Sequence, residues 1–546
     1  MDEFFQAPPE LGNQYESDAL LRHWLTAALP ADVLRQIEPG LHRLGERAVS
    51  DMLAMAADAE ANPPRHIPYD AWGRRIDAIK TARGWRDLLD VAAEEGIVAI
   101  AYEREHGMYS RVHQFARLYL YNPSSAIASC PLSMTDGAAR VIELFGDEML
   151  KRDVLPRLVS RDPVAFWTGG QWMTERTGGS DVRASRTVAR ADGNGWRLHG
   201  TKWFTSATTG EVAITLARIE EEGRRDEDLS LFYLKLRDDH GRLNNIFVHR
   251  LKDKLGTRAL PTAELTLQGT PATLLGERGR GVAQISTILN ITRLYNAAAA
   301  VSFMRRGIAL AHDYAGKRHA FGKLLREQPL HAETLADLDA GHAGAFHLVF
   351  EMARLLGRDE CGAASDAEKG LLRLMTPVVK LYTAKQAIAV ASEVLECFGG
   401  QGYIEDTGLP ALLRNCQVLS IWEGTTNVLA LDVLRALKRP ELLQYLIEDS
   451  RRRLNKTAPI GDDLRGQLQQ RVGAMAARGE ALAAMTAEEQ QAGARRFAYG
   501  LGQGYAAVLL AESVAHAEGA EADAMAEMLR RWLRKPAEGS FPGHSC

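Results

Sequence analysis

RTVARADGNGWRLHGTKWFTSA, residues 186–207, decides how the chain is read. Apolar and polar residues alternate on either side of Asp192-Gly193-Asn194-Gly195, which predicts two strands joined by a tight turn. VAITLAR, LSLFYLKL, IFVHRL and AELTLQG follow as further short strands before Gly281. Strands this dense, separated by polar turns, predict a β-barrel or sandwich. On both sides of this region the apolar period changes to that of a helix. Leu20, Leu21, Trp24, Leu25 and Leu29, then Val91, Ala92, Ile97, Val98 and Ile100, mark helices between Asp18 and about Val164. Residues 62–85, NPPRHIPYDAWGRRIDAIKTARGW, interrupt them with prolines and glycines and read as an ordered connection. Beyond Gly281, IALAHDYAGKRHAFG closes one helix, and TPVVKLYTAKQAIAVASEVLECFGG forms another that stops at Gly399-Gly400. From Arg439 an alanine-rich helical block follows, with an apolar stripe that predicts packing against the body. The expected fold class is α+β and multidomain. Its parts are an N-terminal helical domain (1–168), a central β domain (169–283), a C-terminal helical bundle (284–438) and an additional helical domain (439–546).

A chain of 546 residues, 46% of them apolar, exceeds one compact core. Its net charge of −4, with both signs interspersed, creates no overall field for nucleic acid or anionic lipid. The five cysteines, Cys130, Cys361, Cys397, Cys416 and Cys546, form no CxxC pair or metal-ligand spacing, so neither a disulfide scaffold nor a metal site is expected. The start MDEFFQAPPELGNQYESD is acidic and lacks the basic and apolar regions of a signal peptide. No apolar run is long enough to cross a bilayer, and a reducing, cytoplasmic setting is expected.

Four segments carry possible chemistry. In Met173-Thr174-Glu175-Arg176-Thr177-Gly178-Gly179-Ser180-Asp181, the glycines admit close backbone approach, and Thr174 and Ser180 offer hydroxyls beside free amides. A polar turn ahead of a strand reads equally from this segment alone. Lys202-Trp203-Phe204-Thr205-Ser206 puts aromatic faces next to hydroxyls, suited to a planar ring, although an ordinary half-buried strand has the same pattern. Arg318-His319-Ala320-Phe321-Gly322, followed by Gln328-Pro329-Leu330, places a guanidinium where it can pair with a pyrophosphate or serve a helix end. Phe398-Gly399-Gly400-Gln401-Gly402-Tyr403 leads through Leu413-Arg414-Asn415 to Ile421-Trp422-Glu423-Gly424-Thr425-Thr426-Asn427. Glu423 beside Trp422 is either a partly desolvated base or a dipole-favoured glutamate opening the helix TNVLALDVLRAL.

In this order the four segments resemble the acyl-CoA dehydrogenase family: a TEPxxGSD-like loop, a KxWITN-like strand, an RxxFG element, and GGxGY followed by EGT. The resemblance covers roughly residues 90–440. YDAWGRRID, MTERTGGSDV, LKDKLGTR and SIWEGTTN bring it nearest to the AidB-like branch of adaptive-response flavoproteins. It implies a homotetramer with FAD held by the β domain and the bundle and shared across a subunit contact. Met173, Thr174 and Gly179 would meet the flavin ring, Ser180 the pyrophosphate, and Phe204, Thr205 and Ser206 the ring face and N5 edge. Arg318, Phe321, Gln328, Gly399 and Gly400 would hold the adenosine and pyrophosphate, with Thr425 and Asn427 at the adenosine end. Glu423 would be the base beside Trp422, with Ser180, Arg293 and Gly424 on the thioester side. Arg293 otherwise reads as a surface charge. Three departures stand out: Arg176-Thr177 for Pro-Gly, Ser206-Ala207 for Thr-Asn, and Glu396 for glutamine, where a carboxylate would repel a pyrophosphate.

The implied reaction is α,β-dehydrogenation of an acyl-CoA thioester, with an electron-transferring flavoprotein as acceptor. A second reading is an AidB-like flavoprotein that protects DNA, using basic patches from Arg451-Arg452-Arg453, Arg495-Arg496 and Arg530-Arg531 with Arg534-Lys535. Nearby acids, Glu448, Asp449, Asp462, Asp463, Glu488 and Glu489, balance those patches and favour a solvated helical face. A third is a non-catalytic acyl-CoA or fatty-acid binder on the same fold.

Overall fold

The computed structural model describes residues 5–193, 195–457 and 460–534, so Asn194 of the predicted turn, Lys535 of the terminal basic run and Cys546 lie outside the described residues. The chain forms two compact units. One comprises Ser50–Glu103 and Tyr121–Tyr295, and the other Met1–Val49, Arg104–Leu120 and Asn296–Cys546. The architecture is helical, then β, then helical along the sequence, as the periodicity predicts.

In the first unit the predicted strands close into a barrel. Val212–Glu221 pairs with Val188–Asp192 and with Ser230–Lys235. Val188–Asp192 pairs with Gly195–Ser206, which pairs with Thr262–Leu275, and that long strand returns to Ser230–Lys235. Ile246–Leu251 joins the first half of Thr262–Leu275, and a strand the periodicity did not reveal, Gly169–Trp172, lies parallel to Val212–Glu221. Successive residues of Val212–Glu221 serve two cores because side chains alternate across a strand. Ala213, Ala217 and Ile219 join Trp172, Leu198, Phe232 and Leu265 in one cluster. Val212, Ile214 and Leu216 join Ala138, Ile142 and Ile288 in the other, against the helices Ser129–Phe145 and Gly281–Ala315. A Cβ on Gly137 would stand 2.4 Å from Ile288 Cγ2, so the first of those helices needs glycine there. The stretch 62–85, expected as a connection, contains an antiparallel hairpin, Arg65–Tyr69 with Arg75–Lys80.

The second unit is helical, built around Pro329–Glu360, Asp366–Cys397 and Ala487–His516. Local signals define the ends. Pro329 opens the first at a position that needs no N–H, and Ser365 with Glu368 and Thr486 with Glu489 form capping boxes on the other two. Asp366–Cys397 ends at Gly399, whose φ of +58° suits a residue without Cβ.

The final helices pack on the body through small residues that admit aromatic rings. Gly344 lies under the Trp532 ring, and Gly502 against Tyr382. Arg453, 7% exposed, is tied to Glu351 at 2.6 Å, Asp449 at 2.7 Å and Glu512, and Tyr505 donates to Asp449. Arg531 is similarly held by Glu333, Asp337 and Glu527. Arg453 and Arg531, two members of the basic runs, are thus engaged by carboxylates within the fold. Among the described residues no helix is long and apolar enough to cross a membrane.

A Cβ at Gly344 would fall 2.4 Å from the Trp532 ring. Gly344→Val is therefore expected to displace the last helix and to cost about 1–3 kcal/mol, read as a lowered Tm with a change in tryptophan fluorescence.

Candidate active site

On the barrel, the candidate residues are organised by an ion pair taken out of water. Glu175, in the Met173–Asp181 loop, accepts from Lys202 Nζ at 3.1 Å, from the Arg186 and Thr187 amides at 2.6 and 3.2 Å, and from the Thr187 hydroxyl at 2.6 Å. Lys202 is 0% exposed. Burial pushes the Glu175 carboxyl up, but the Lys202 ammonium and the Thr187 and Arg186 hydrogen bonds outweigh it and leave the group below its ordinary value. The loop is thus fastened to the strand Gly195–Ser206. A second fastening is Trp203 N–H to the Thr174 carbonyl at 3.0 Å. Gly179 packs where a Cβ would meet Thr174 Oγ1 at 2.5 Å, and Gly178 has φ +126°, so both glycines shape the loop.

A β-bulge sets the directions of the strand's side chains. Ala263 opposes Thr205 while Leu265 opposes Lys202, so three steps on one strand face two on the other. Lys202 and Thr205 consequently both turn inward, and Phe204 turns out, 53% exposed. The Lys252 ammonium stands 4.5 Å from the Phe204 ring centroid and 3.9 Å from that of Trp203, and Arg176 lies 5.4 Å from the Trp203 ring. Thr205, fully buried, donates to the Ala263 carbonyl at 2.8 Å inside the barrel. Ser206, half-buried, shares a 3.0 Å hydrogen bond with the Thr262 hydroxyl. Lys254 Nζ donates to Thr262 at 3.2 Å and to the Leu260 carbonyl, and burial pushes its amine down to about 8. Met173 is buried in the core beside the helix Ser129–Phe145, whereas Ser180 is exposed. Arg293 is buried, which corrects its reading as a surface charge.

In the helical unit, Glu423 stands two residues before the capping residue of the helix that follows it. That helix is Thr426–Ala436, capped by Thr425, whose hydroxyl accepts from Val428 N–H. Glu423 is therefore a loop residue. Glu423 has φ +57° and Gly424 φ +102°, a conformation that a β-carbon disfavours and glycine tolerates. The loop is fixed on both flanks. Trp422 Nε1 donates to Asn296 Oδ1, Asn296 Nδ2 donates to the Leu419 carbonyl at 3.1 Å, and Lys380 Nζ donates to the Gly424 carbonyl at 2.7 Å. Lys380, Asn296, Glu175 and Lys254 were not singled out from the sequence. The available signal was a polar side chain on an otherwise apolar helix or strand face.

The remaining predicted residues of this unit sit on turns. Phe321 and Gly322, at φ +51° and +79°, form the tip between the short strands His319–Ala320 and Lys323–Leu324, and Phe321 is 99% exposed. Gln328 Nε2 donates to the Ala320 carbonyl at 2.8 Å, bracing this hairpin, and Arg318 Nη1 reaches Gln6 Oε1 at 3.4 Å. Gly399, Gly400 and Glu396 are exposed at the end of Asp366–Cys397, and Asn427 is exposed in the first turn of Thr426–Ala436.

Comparison with known proteins gives three matched regions: the AidB N-terminal domain over residues 6–162, the acyl-CoA dehydrogenase middle domain over 170–270, and the acyl-CoA dehydrogenase C-terminal domain over 279–438. Acyl-CoA dehydrogenase family member 11 of Caenorhabditis elegans is 48% identical over 450 residues, covering 80% of this chain and 73% of the relative. The putative acyl-CoA dehydrogenase AidB of Escherichia coli is 32% identical over 461 residues, 82% of each chain. The crystal structure of Caenorhabditis elegans ACDH-11 in complex with C11-CoA superposes with a TM-score of 0.94 and 41% identity, covering 98% of this chain and 93% of that one.

Two outcomes follow from the barrel's buried charges. Lys202→Met leaves the Glu175 carboxylate buried without its ammonium and is expected to cost about 3–5 kcal/mol, measured by chemical denaturation. Lys254 supplies a pH signature: the native amine releases its proton near pH 8, whereas the unfolded amine keeps it to about 10.5. Between those values the unfolded state binds more protons, so stability from this group rises with pH. Denaturation from pH 7.5 to 10 should show wild type gaining on Lys254→Met, and a constant difference would contradict the assignment.

Proposed function

The chain belongs to the acyl-CoA dehydrogenase family, and from that premise we propose that it oxidises an acyl-CoA thioester to its α,β-unsaturated counterpart with Glu423 as the base. The observation that carries the reading is the placement of Glu423. The carboxylate stands on a braced loop residue outside any helix, and a role in capping does not account for it. The thioester carbonyl acidifies the α-carbon, the α-proton passes to the Glu423 carboxylate, and the β-carbon gives up a hydride. FAD, with which members of this family work, supplies the two-electron acceptor. One proton and one hydride leave together, and a carbon–carbon double bond forms.

The residues present fit such a cofactor. On the barrel, the exposed face of Phe204 suits a planar ring, the Ser206 hydroxyl suits a ring edge, and the tight turn at Gly178 and Gly179 leaves room for backbone approach beside Thr174 and Ser180. In the helical unit, Arg318 and the open Gly399-Gly400 turn suit phosphate oxygens, and the fully exposed Phe321 on a braced hairpin supports a contact with a second copy, as in a tetramer. The substrate class is an acyl-CoA, supported by the C11-CoA complex of the Caenorhabditis elegans relative. Electrons would pass on to an electron-transferring flavoprotein or another acceptor.

Positioning the α- and β-carbons against base and acceptor supplies effective molarity of several kcal/mol, on the order of 7 or more in well-oriented systems. Glu423→Gln should retain flavin and thioester binding yet lose bleaching of the flavin by acyl-CoA, followed anaerobically by absorbance. Bleaching at the wild-type rate in that variant would remove Glu423 from the role of base.

A further inference from the structure

We propose that Lys380 and Asn296 are positioning residues that hold Glu423 in its left-handed backbone conformation and so aim the carboxylate before the thioester arrives. The inference rests on the reading of Glu423 as the base. A glutamate at φ +57° holds a backbone conformation that a β-carbon disfavours, and an unrestrained loop would relax to a right-handed or extended backbone. Relaxation would swing the carboxylate away, because a change of φ at Glu423 rotates everything beyond its α-carbon.

Two side chains oppose that change, one on each flank of the base. Asn296 acts before it: the same amide accepts from the Trp422 indole and donates to the Leu419 carbonyl at 3.1 Å, joining the last turn of Leu409–Leu419 to the residue preceding Glu423. Lys380 acts after it, donating to the Gly424 carbonyl at 2.7 Å from the middle of Asp366–Cys397. Gly424 is followed directly by the capping residue Thr425, so the Lys380 bond fixes the point where loop becomes helix. Lys380 is 0% exposed among apolar neighbours of its own helix such as Val378, Val379 and Leu381. Burying an ammonium is unfavourable unless it is well bonded, and an aliphatic side chain at that helix position would pack without that cost. A charge-assisted bond to the carbonyl next to the base gives the lysine a use that packing alone does not.

The test uses full-length, flavin-loaded Lys380→Met and Asn296→Ala beside wild type and Glu423→Gln. Saturated acyl-CoAs, C11-CoA included, are mixed anaerobically, and the limiting rate of flavin reduction is recorded separately from the dissociation constant for the thioester. Each positioning variant is expected to lose on the order of 10- to 100-fold in limiting rate while its dissociation constant and flavin content stay near wild type. Lys380→Gln, which keeps a donor without the charge, should recover part of the rate; together with Asn296→Ala it carries the test if Lys380→Met does not fold. A wild-type limiting rate in these variants would overturn the proposal. So would a loss of rate only in step with lost flavin or thioester binding. The two readings separate cleanly: bleaching by Glu423→Gln sinks the base itself, whereas its loss there with wild-type rates in the other variants sinks only the positioning role.

Discussion

A carboxylate and an ammonium withdrawn from water, Glu175 and Lys202, are the constraint on which the barrel's candidate residues depend. Neither charge tolerates burial alone, so each enforces the presence of the other and of the amides around Thr187. The consequence is geometric. The Met173–Asp181 loop cannot drift from the strand Gly195–Ser206, and the bulge at Trp203 and Phe204 has its spare N–H bonded to the Thr174 carbonyl. Once the bulge is fixed, Phe204 faces outward and Thr205 inward, and the aromatic face and the Ser206 hydroxyl keep a constant relation to Thr174. Outward-facing and fold-stabilising side chains therefore alternate along one short strand.

The helical unit combines backbone strain at Glu423 with a buried charge at Lys380. Glu423 occupies a conformation it would not choose, and the surrounding helices over-determine it through Trp422, Asn296 and Lys380. In the proposed role of base, a carboxylate held this way does not need to search for its orientation. The final helical block adds mass and stability to the same unit by inserting Trp532 and Tyr505 into grooves lined by glycine and by ion pairs. Its arginines, read singly, suggest a nucleic-acid surface, but in the fold Arg453 is shared among three carboxylates.

What was legible in the sequence follows from periodicity, and what was not follows from long-range contact. The barrel strands and the long helices declare themselves because alternation and the 3.6-residue repeat are local properties. The Arg65–Lys80 hairpin does not, since its two short strands are largely exposed and carry no apolar face to read. Gly169–Trp172 is a buried edge segment of only four residues and lacks a full period. The roles of Thr205 and Ser206 were indistinguishable because a bulge is a property of two strands, not of one. Glu423 was visible as a candidate, but its left-handed backbone depends on Asn296, 127 positions earlier, and on Lys380, whose value appears only when helices are packed.

Coupled loss of an α-proton and a β-hydride from a bound thioester is the reaction proposed for this chain. The most direct measurement is anaerobic titration of the flavin-loaded protein with saturated acyl-CoAs of graded length, following flavin absorbance together with the thioester product. At least one acyl-CoA in the series is expected to bleach the flavin and yield one equivalent of the α,β-unsaturated thioester. Tight thioester binding across the series, with the flavin remaining oxidised and no unsaturated product, would contradict it.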